Sequence, residues 1–258
     1  MKAVLSAIAL IAVLSLTTLA QNPPILSPLM SRHADAATAA NNFSWGPPPA
    51  GPNILFYGGD VNPSDPNVDG FSNGNTLLGN TPTYGAVQVP ATGHFVVTGI
   101  FFNQIATLTG NIFDPPTATY DIRVNVTNGY GGTSVAHGSG PQTAVPTGRM
   151  PYGDVEYTTS VGLTSPLTAQ NGETYWVNES PQCTDTSNPL CSQVQFFVDN
   201  TTQKTGSVNG GAQPTGEIYF DCEFCGNSPL IWFNWCDNTG LNAQQCADLS
   251  FGIYGHRR

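Results

Sequence analysis

Charge is what this 258-residue sequence has least of. Only 9% of its residues are Asp, Glu, Lys or Arg, against about 25% in an ordinary soluble domain. Seven are basic and 17 acidic, a formal net charge of −10. Nucleic-acid binding needs a basic footprint, and seven scattered cations do not make one. The same shortage argues against an anionic membrane surface as partner. Helix surfaces are usually filled with Glu, Lys and Arg, so a chain this poor in them points away from a helical domain. No window after Ala40 holds a capped helical period. There is no phosphate loop, no dinucleotide fingerprint and no HExxH. Ser139 sits in Gly138-Ser139-Gly140, without the GxSxG elbow of a hydrolase. The four histidines, at 33, 94, 137 and 256, are scattered and lack metal-ligand spacing.

Cysteine is absent from the first 182 residues. All six lie at Cys183, Cys191, Cys222, Cys225, Cys236 and Cys246. The chain opens with Lys2, an apolar run from Ala3 to Leu16, and small residues at Thr18 and Ala20. That is the layout of an export signal cleaved before Gln21. The run is short for a membrane span and no basic stop-transfer cluster follows it. The expected mature protein is therefore secreted or at the cell surface, with no membrane contact after cleavage. An even cysteine count in such a compartment reads as disulfides. Proximity favours Cys183–Cys191 and Cys236–Cys246, which leaves Cys222 and Cys225 for each other. The competing readings of Cys222-Glu223-Phe224-Cys225 are half a zinc site or a redox motif. The zinc reading lacks a second CxxC, and the redox reading lacks a βαβ setting.

Residues 21–52 carry Pro23-Pro24, an Ala/Thr stretch and Pro47-Pro48-Pro49. They read as a linker. From Asn53 to Arg258 short apolar or alternating runs recur between Gly, Pro, Asn and Asp, and a single domain is expected there. Thr119–Val126 is the clearest strand: Tyr120, Ile122, Val124 and Val126 alternate with Asp121, Arg123 and Asn125. Asn128-Gly129-Tyr130-Gly131-Gly132 then reads as a hairpin turn. Further strands are expected at Ile54–Tyr57, Ala86–Val89, Phe95–Phe102, Thr133–His137, Val155–Leu163, Thr174–Asn178, Val194–Val198, Glu217–Phe220, Leu230–Trp235 and Leu249–Tyr254. The predicted fold class is all-β: an antiparallel β-sandwich, jelly-roll-like, with a disulfide-stabilised C-terminal segment.

Two constellations offer binding chemistry. Asp65-Pro66-Asn67-Val68-Asp69-Gly70 fits the first half of an oxygen-ligand calcium loop, with Asp60 just before it. The bidentate Glu of the twelfth loop position is replaced by Thr76. Asp60, Asp65, Asn67 and Asp69 are the candidate calcium ligands, and the rival reading is an Asx-rich turn. In Ile231–Trp235, Trp232 and Asn234 share the face opposite Ile231, Phe233 and Trp235. A ring beside an amide can stack on and hydrogen-bond to a sugar. Trp176 poses the same question, and core packing is the competing role for both rings. For hydrolysis the carboxylates to watch are Asp154, Glu156, Glu173 and Glu179, which would need a cleft at catalytic separation.

Several stretches together resemble a family. They are Ile54-Leu55-Phe56-Tyr57-Gly58-Gly59-Asp60, the Asn-rich loop to Asn75, Phe95–Phe101, the strand into Asn128-Gly129-Tyr130-Gly131-Gly132-Thr133, and Leu167–Val177. They resemble uncharacterised secreted bacterial β-sandwich proteins of the acidobacterial or PEP-CTERM-like type. The resemblance covers roughly 53–199 and rests on strand and turn signatures. It implies an extracellular sandwich with no assigned activity and no transferable site residues. With Gly255-His256-Arg257-Arg258 after Tyr254, anchoring through a hydrophobic sorting tail is not expected.

Taken together, the sequence predicts a secreted non-catalytic protein for extracellular binding, adhesion or matrix assembly. Its expected partner is an extracellular polysaccharide or another surface protein. A polysaccharide-degrading hydrolase and a structural envelope or filament subunit are the alternatives.

Overall fold

Period-two alternation becomes strand almost throughout this computed structural model. It describes residues 31–33, 53–60, 69–77, 79–106, 117–151, 154–201, 206–207, 213–222, 231–234 and 248–258. The strands in chain order are β1 (Ser31–His33), β2 (Ile54–Tyr57), β3 (Asp69–Ser72), β4 (Asn75–Thr76), β5 (Gly79–Asn80), β6 (Thr83–Gln88), β7 (Phe95–Ala106), β8 (Thr117–Val124), β9 (Thr133–Pro146), β10 (Glu156–Ala169), β11 (Thr174–Cys183), β12 (Phe196–Thr201), β13 (Gly206–Ser207), β14 (Gln213–Cys222), β15 (Ile231–Asn234), β16 (Asp248–Leu249) and β17 (Phe251–Arg257). They form one curled sheet in which nearly every pairing is antiparallel; β11 with β4 is the parallel exception. The stretch read as a linker contributes β1, which pairs with β3.

The curl turns on β9. Its residues 133–141 pair with β8, and its residues 142–146 pair with β10. One long strand thereby joins two leaves. The first runs β9–β10–β7–β17–β2, with β12 continuing beside the end of β7. The second runs β15–β14–β6–β11–β8–β9. Phe56, Ile100, Phe102 and Phe251 of the first leaf share one core cluster with Ile122, Val177 and Ile218 of the second. Fully burying each such side chain contributes roughly 1.5–3 kcal/mol. Gly85 makes room for this: a Cβ there would meet the Phe251 ring at 2.4 Å.

Among the described cysteines, Cys183 and Cys191 are joined. They close a loop around the 3₁₀ turn Pro189–Ser192, whose cap is Asn188. Both sulfurs are buried with Ala106, Val194 and Phe196 in a second apolar cluster. Cys222 lies on β14 with its side chain outside the described set. Cys225, Cys236 and Cys246 lie outside the described residues altogether.

Candidate functional site

Strand β8 presents two faces. Ala118, Tyr120 and Ile122 enter the core, while Thr119, Asp121 and Arg123 face outward. A register shift in the β8–β9 pairing places Ile122 opposite Ala136 and Arg123 opposite Ser134. The extra residue, Val135, is a bulge. It lets Ser134 and His137, three residues apart, reach the same side of the sheet, where their side chains lie 3.3 Å apart.

The outcome is an open groove of about 640 Å3 on the outer face of the second leaf. Asp121, Arg123, Ser134, His137, Asn178 and Asp221 are among its lining residues. Asp121 organises one wall. Its carboxylate accepts from the Tyr84 hydroxyl at 3.0 Å, from Ser134 at 2.5 Å, and from the Arg123 guanidinium. Arg123 also donates to the Gly131 carbonyl at 2.8 Å and lies over the Trp232 ring, 4.9 Å from its centroid. Burial of the Tyr84 hydroxyl, followed by the Asp121 charge, pushes that phenol well above its ordinary range. On the groove floor, Asn178 donates to Asn73 Oδ1 at 2.7 Å and to the Thr83 carbonyl at 2.8 Å. The volume lies in the range of ligand sites, and the polar wall is set in place by its own hydrogen bonds.

The side chains weighed as sugar contacts are buried, and both rings take the core-packing alternative. Trp232 is 3% exposed, Asn234 7% and Trp176 8%. Trp232 and Trp176 pack with Tyr84, Ala86, Val126 and Tyr219 in an aromatic cluster beneath Arg123. The sequence pattern is right that Trp232 faces away from the main core. It misses that the Asn128–Gly131 turn folds over it. Gly129 N–H donates to the Trp232 carbonyl at 2.7 Å, and Asn128 Oδ1 accepts from the Asn234 amide at 2.7 Å. A Cβ on Gly131 would stand 2.4 Å from the indole, so glycine is what admits the ring. The Trp176 indole N–H is buried without a hydrogen-bond partner among the described residues. An exposed ring near this turn is Tyr130, 56% exposed.

Asp60, the first candidate calcium ligand, is 2% exposed and engaged by protein groups. The Tyr57 hydroxyl donates to it, and Arg149 Nη1 lies 3.0 Å away. Arg149 also binds Glu156 Oε2 through Nε at 2.6 Å and Nη2 at 2.5 Å. Burial raises the Glu156 carboxyl above its usual range, opposed by Arg149. Asp65 and Asn67 lie outside the described residues, as does the side chain of Asp69. Among the described residues no group of three or more His, Cys, Asp or Glu side chains could hold a metal ion.

Two of the four carboxylates considered for hydrolysis, Glu156 and Glu179, are 0% exposed. Neither lines the groove. They serve separate networks on opposite faces of the first leaf. The Glu179 network is a further polar feature, separate from the Asp121 wall and from the Asp60–Arg149–Glu156 cluster. In-phase residues on three strands form rows: Phe102, Gln104 and Ala106 on β7; Val161, Thr159 and Tyr157 on β10; Val177, Glu179 and Cys183 on β11. The polar members lie between the two apolar clusters. Glu179 Oε2 accepts from Thr159 Oγ1 and from Gln104 Nε2, each at 2.7 Å, and its Oε1 accepts from Gln142 at 3.0 Å. Burial, only partly offset by these donors, pushes its carboxyl up to about 8. Sequence reasoning named Glu179 for another role and missed Asn73, Gln104, Gln142 and Thr159. Their signal was available, because polar residues in phase with a strand's core positions must be buried and therefore paired.

The chain matches no protein family, no curated protein and no solved structure. The site must therefore speak through its own chemistry.

Proposed function

We propose that this is a secreted, non-catalytic binding protein that holds a neutral extracellular polysaccharide in the groove on the outer face of the second leaf. The observation that carries the reading is the groove wall built on Asp121. Its donors and acceptors are pre-positioned by mutual hydrogen bonds, so little side-chain ordering remains to be lost on binding. Hydroxyl-rich ligands suit such a wall. The lining holds Asp121 and Asp221 against Arg123, and the whole chain is net acidic. Both features disfavour acidic polymers. Export is supported by the N-terminal sequence, and a surface poor in charge suits an adhesive or matrix setting.

The test is retention of the mature, oxidised protein on a panel of insoluble polysaccharides, with released sugar assayed in the same tubes. Retention on neutral polymers without sugar release is the expected result. His137→Ala and Ser139→Ala, both at exposed positions of β9, should each weaken retention about fivefold, the worth of one hydrogen bond. Sugar release would overturn the reading in favour of a hydrolase. Neither retention nor release would favour a structural subunit of the cell envelope.

A further inference from the structure

Glu179 and three buried side chains around it are arranged as more than a packing device. Glu179 Oε2 touches two groups at once, the Thr159 hydroxyl and the Gln104 amide nitrogen, each at 2.7 Å. Those two also touch each other at 2.7 Å, so the three atoms close a triangle. The far side of the Gln104 amide is held as well: Asn73 Nδ2 donates to Gln104 Oε1 at 3.1 Å. Asn73 cannot be turned around, because its Oδ1 accepts from the Thr83 backbone N–H and its Nδ2 donates to the Glu179 carbonyl. All four side chains are 0% exposed. With an amide C–N bond of about 1.33 Å, the Gln104 carbonyl carbon lies at most about 4 Å from Thr159 Oγ1. That bound includes the near-attack distance of about 3–3.5 Å.

These are the parts of an acyl transfer: a hydroxyl nucleophile, a carboxylate base, an amide carbonyl and a donor on its oxygen. We propose that Thr159 and Gln104 join in an intramolecular ester that ties β10 to β7. Glu179 takes the Thr159 hydroxyl proton as Oγ1 bonds to Cδ of Gln104. Negative charge gathers on Oε1, facing Asn73. The Cδ–Nε2 bond then breaks, and Glu179 returns the proton to the departing nitrogen. One ammonia leaves, one ester forms, and Glu179 ends as it began. The same carboxylate oxygen already contacts both the atom that loses the proton and the atom that gains it. The ionised carboxylate is the form that acts, so joining speeds up as pH rises towards about 8, and burial keeps water from the ester. This inference is independent of the groove and its ligand.

Trypsin provides the test, because the chain has so few cleavage sites. After denaturation and disulfide reduction, Gln104 falls on the peptide 33–123 and Thr159 on 150–204. The expected result is a joined species lighter than the two peptides together by about 17 Da, one ammonia. Alkaline hydroxylamine should split it, leaving a hydroxamate at Gln104. Intact mass alone does not decide, since cyclisation of an N-terminal Gln21 would also release ammonia. Separate peptides at unmodified mass in the wild-type protein would overturn the proposal. So would a joined species that persists in Thr159→Val. Glu179→Gln, which keeps the volume and loses the base, should leave the peptides separate. Joining at wild-type extent in that variant would overturn the role of Glu179.

Discussion

Replacing Glu179 by Gln tests what it costs to bury a carboxyl that has no cation beside it among the described residues. In the unfolded chain this group titrates at 4.5, and in the folded protein at about 8. Below about pH 4.5 both states hold the proton, so the group adds no pH dependence. Between about 4.5 and 8 the unfolded chain releases it and the folded protein keeps it, so stability falls as pH rises. Above about 8 both states are ionised and the loss is complete. At about 1.4 kcal/mol per pH unit, the loss across that window reaches up to about 5 kcal/mol. Glu179→Gln removes it. The introduced amide nitrogen takes the place of Oε1 with Gln142 turned over, so the one buried Gln142 atom without a partner among the described residues changes from Oε1 to Nε2, an offset that does not vary with pH. The assay is urea unfolding followed by tryptophan fluorescence, repeated from about pH 5 to about pH 9. The expected result is a wild-type curve that falls with pH and a flatter one for the variant. Slopes are compared, so a constant offset from any covalent link cancels. Glu156, also raised by burial, contributes the same slope to both. Parallel curves would refute the reasoning.

Three further outcomes follow from local geometry. Arg149→Met leaves Asp60 and Glu156 buried without their shared cation and should cost about 3–5 kcal/mol; adding Glu156→Gln should recover part of it in the same unfolding assay. Gly252→Ala puts a Cβ 2.1 Å from the Phe101 ring and 2.6 Å from the Phe56 carbonyl. Neither the ring nor the carbonyl can move far in a packed core, so destabilisation of about 3 kcal/mol or more is expected by chemical denaturation. The Cys183→Ser, Cys191→Ser double variant opens a loop of sequence separation 8 and should lose about 2.5 kcal/mol by the chain-entropy relation, seen as a lower urea midpoint.

Strand existence was legible in the sequence, and strand length was not. Ile54–Tyr57 and the alternation of Tyr120 and Ile122 against Asp121 and Arg123 appear in the structure as read. β9 and β10 run to 14 residues each, well beyond the segments expected, because Gly and Pro signals in them were taken as turns. Several of those residues are accommodated where pairing is one-sided or shifted. Gly162 and Pro166 sit at the edge of and within the β10 register shift against β7, and Pro146 ends β9. Asn125, expected to continue the alternation of β8, takes a positive φ of 59°. That turn sends Val126 to the aromatic cluster instead of the main core.

Composition and period alone determined the all-β antiparallel class, and proximity in sequence favoured the Cys183–Cys191 bond that the structure contains. Each follows from local spacing or from counts, which need no partner. The site depended on contacts far apart in sequence. Asn73, Gln104, Thr159 and Glu179 come from four separate segments, and Trp232 is covered by the distant Asn128–Gly131 turn. A strand's pattern says which face a residue occupies. Only the packing of leaf on leaf decides whether that face meets water, an indole or a buried carboxyl, and the energy of a polar group depends on which of these it meets.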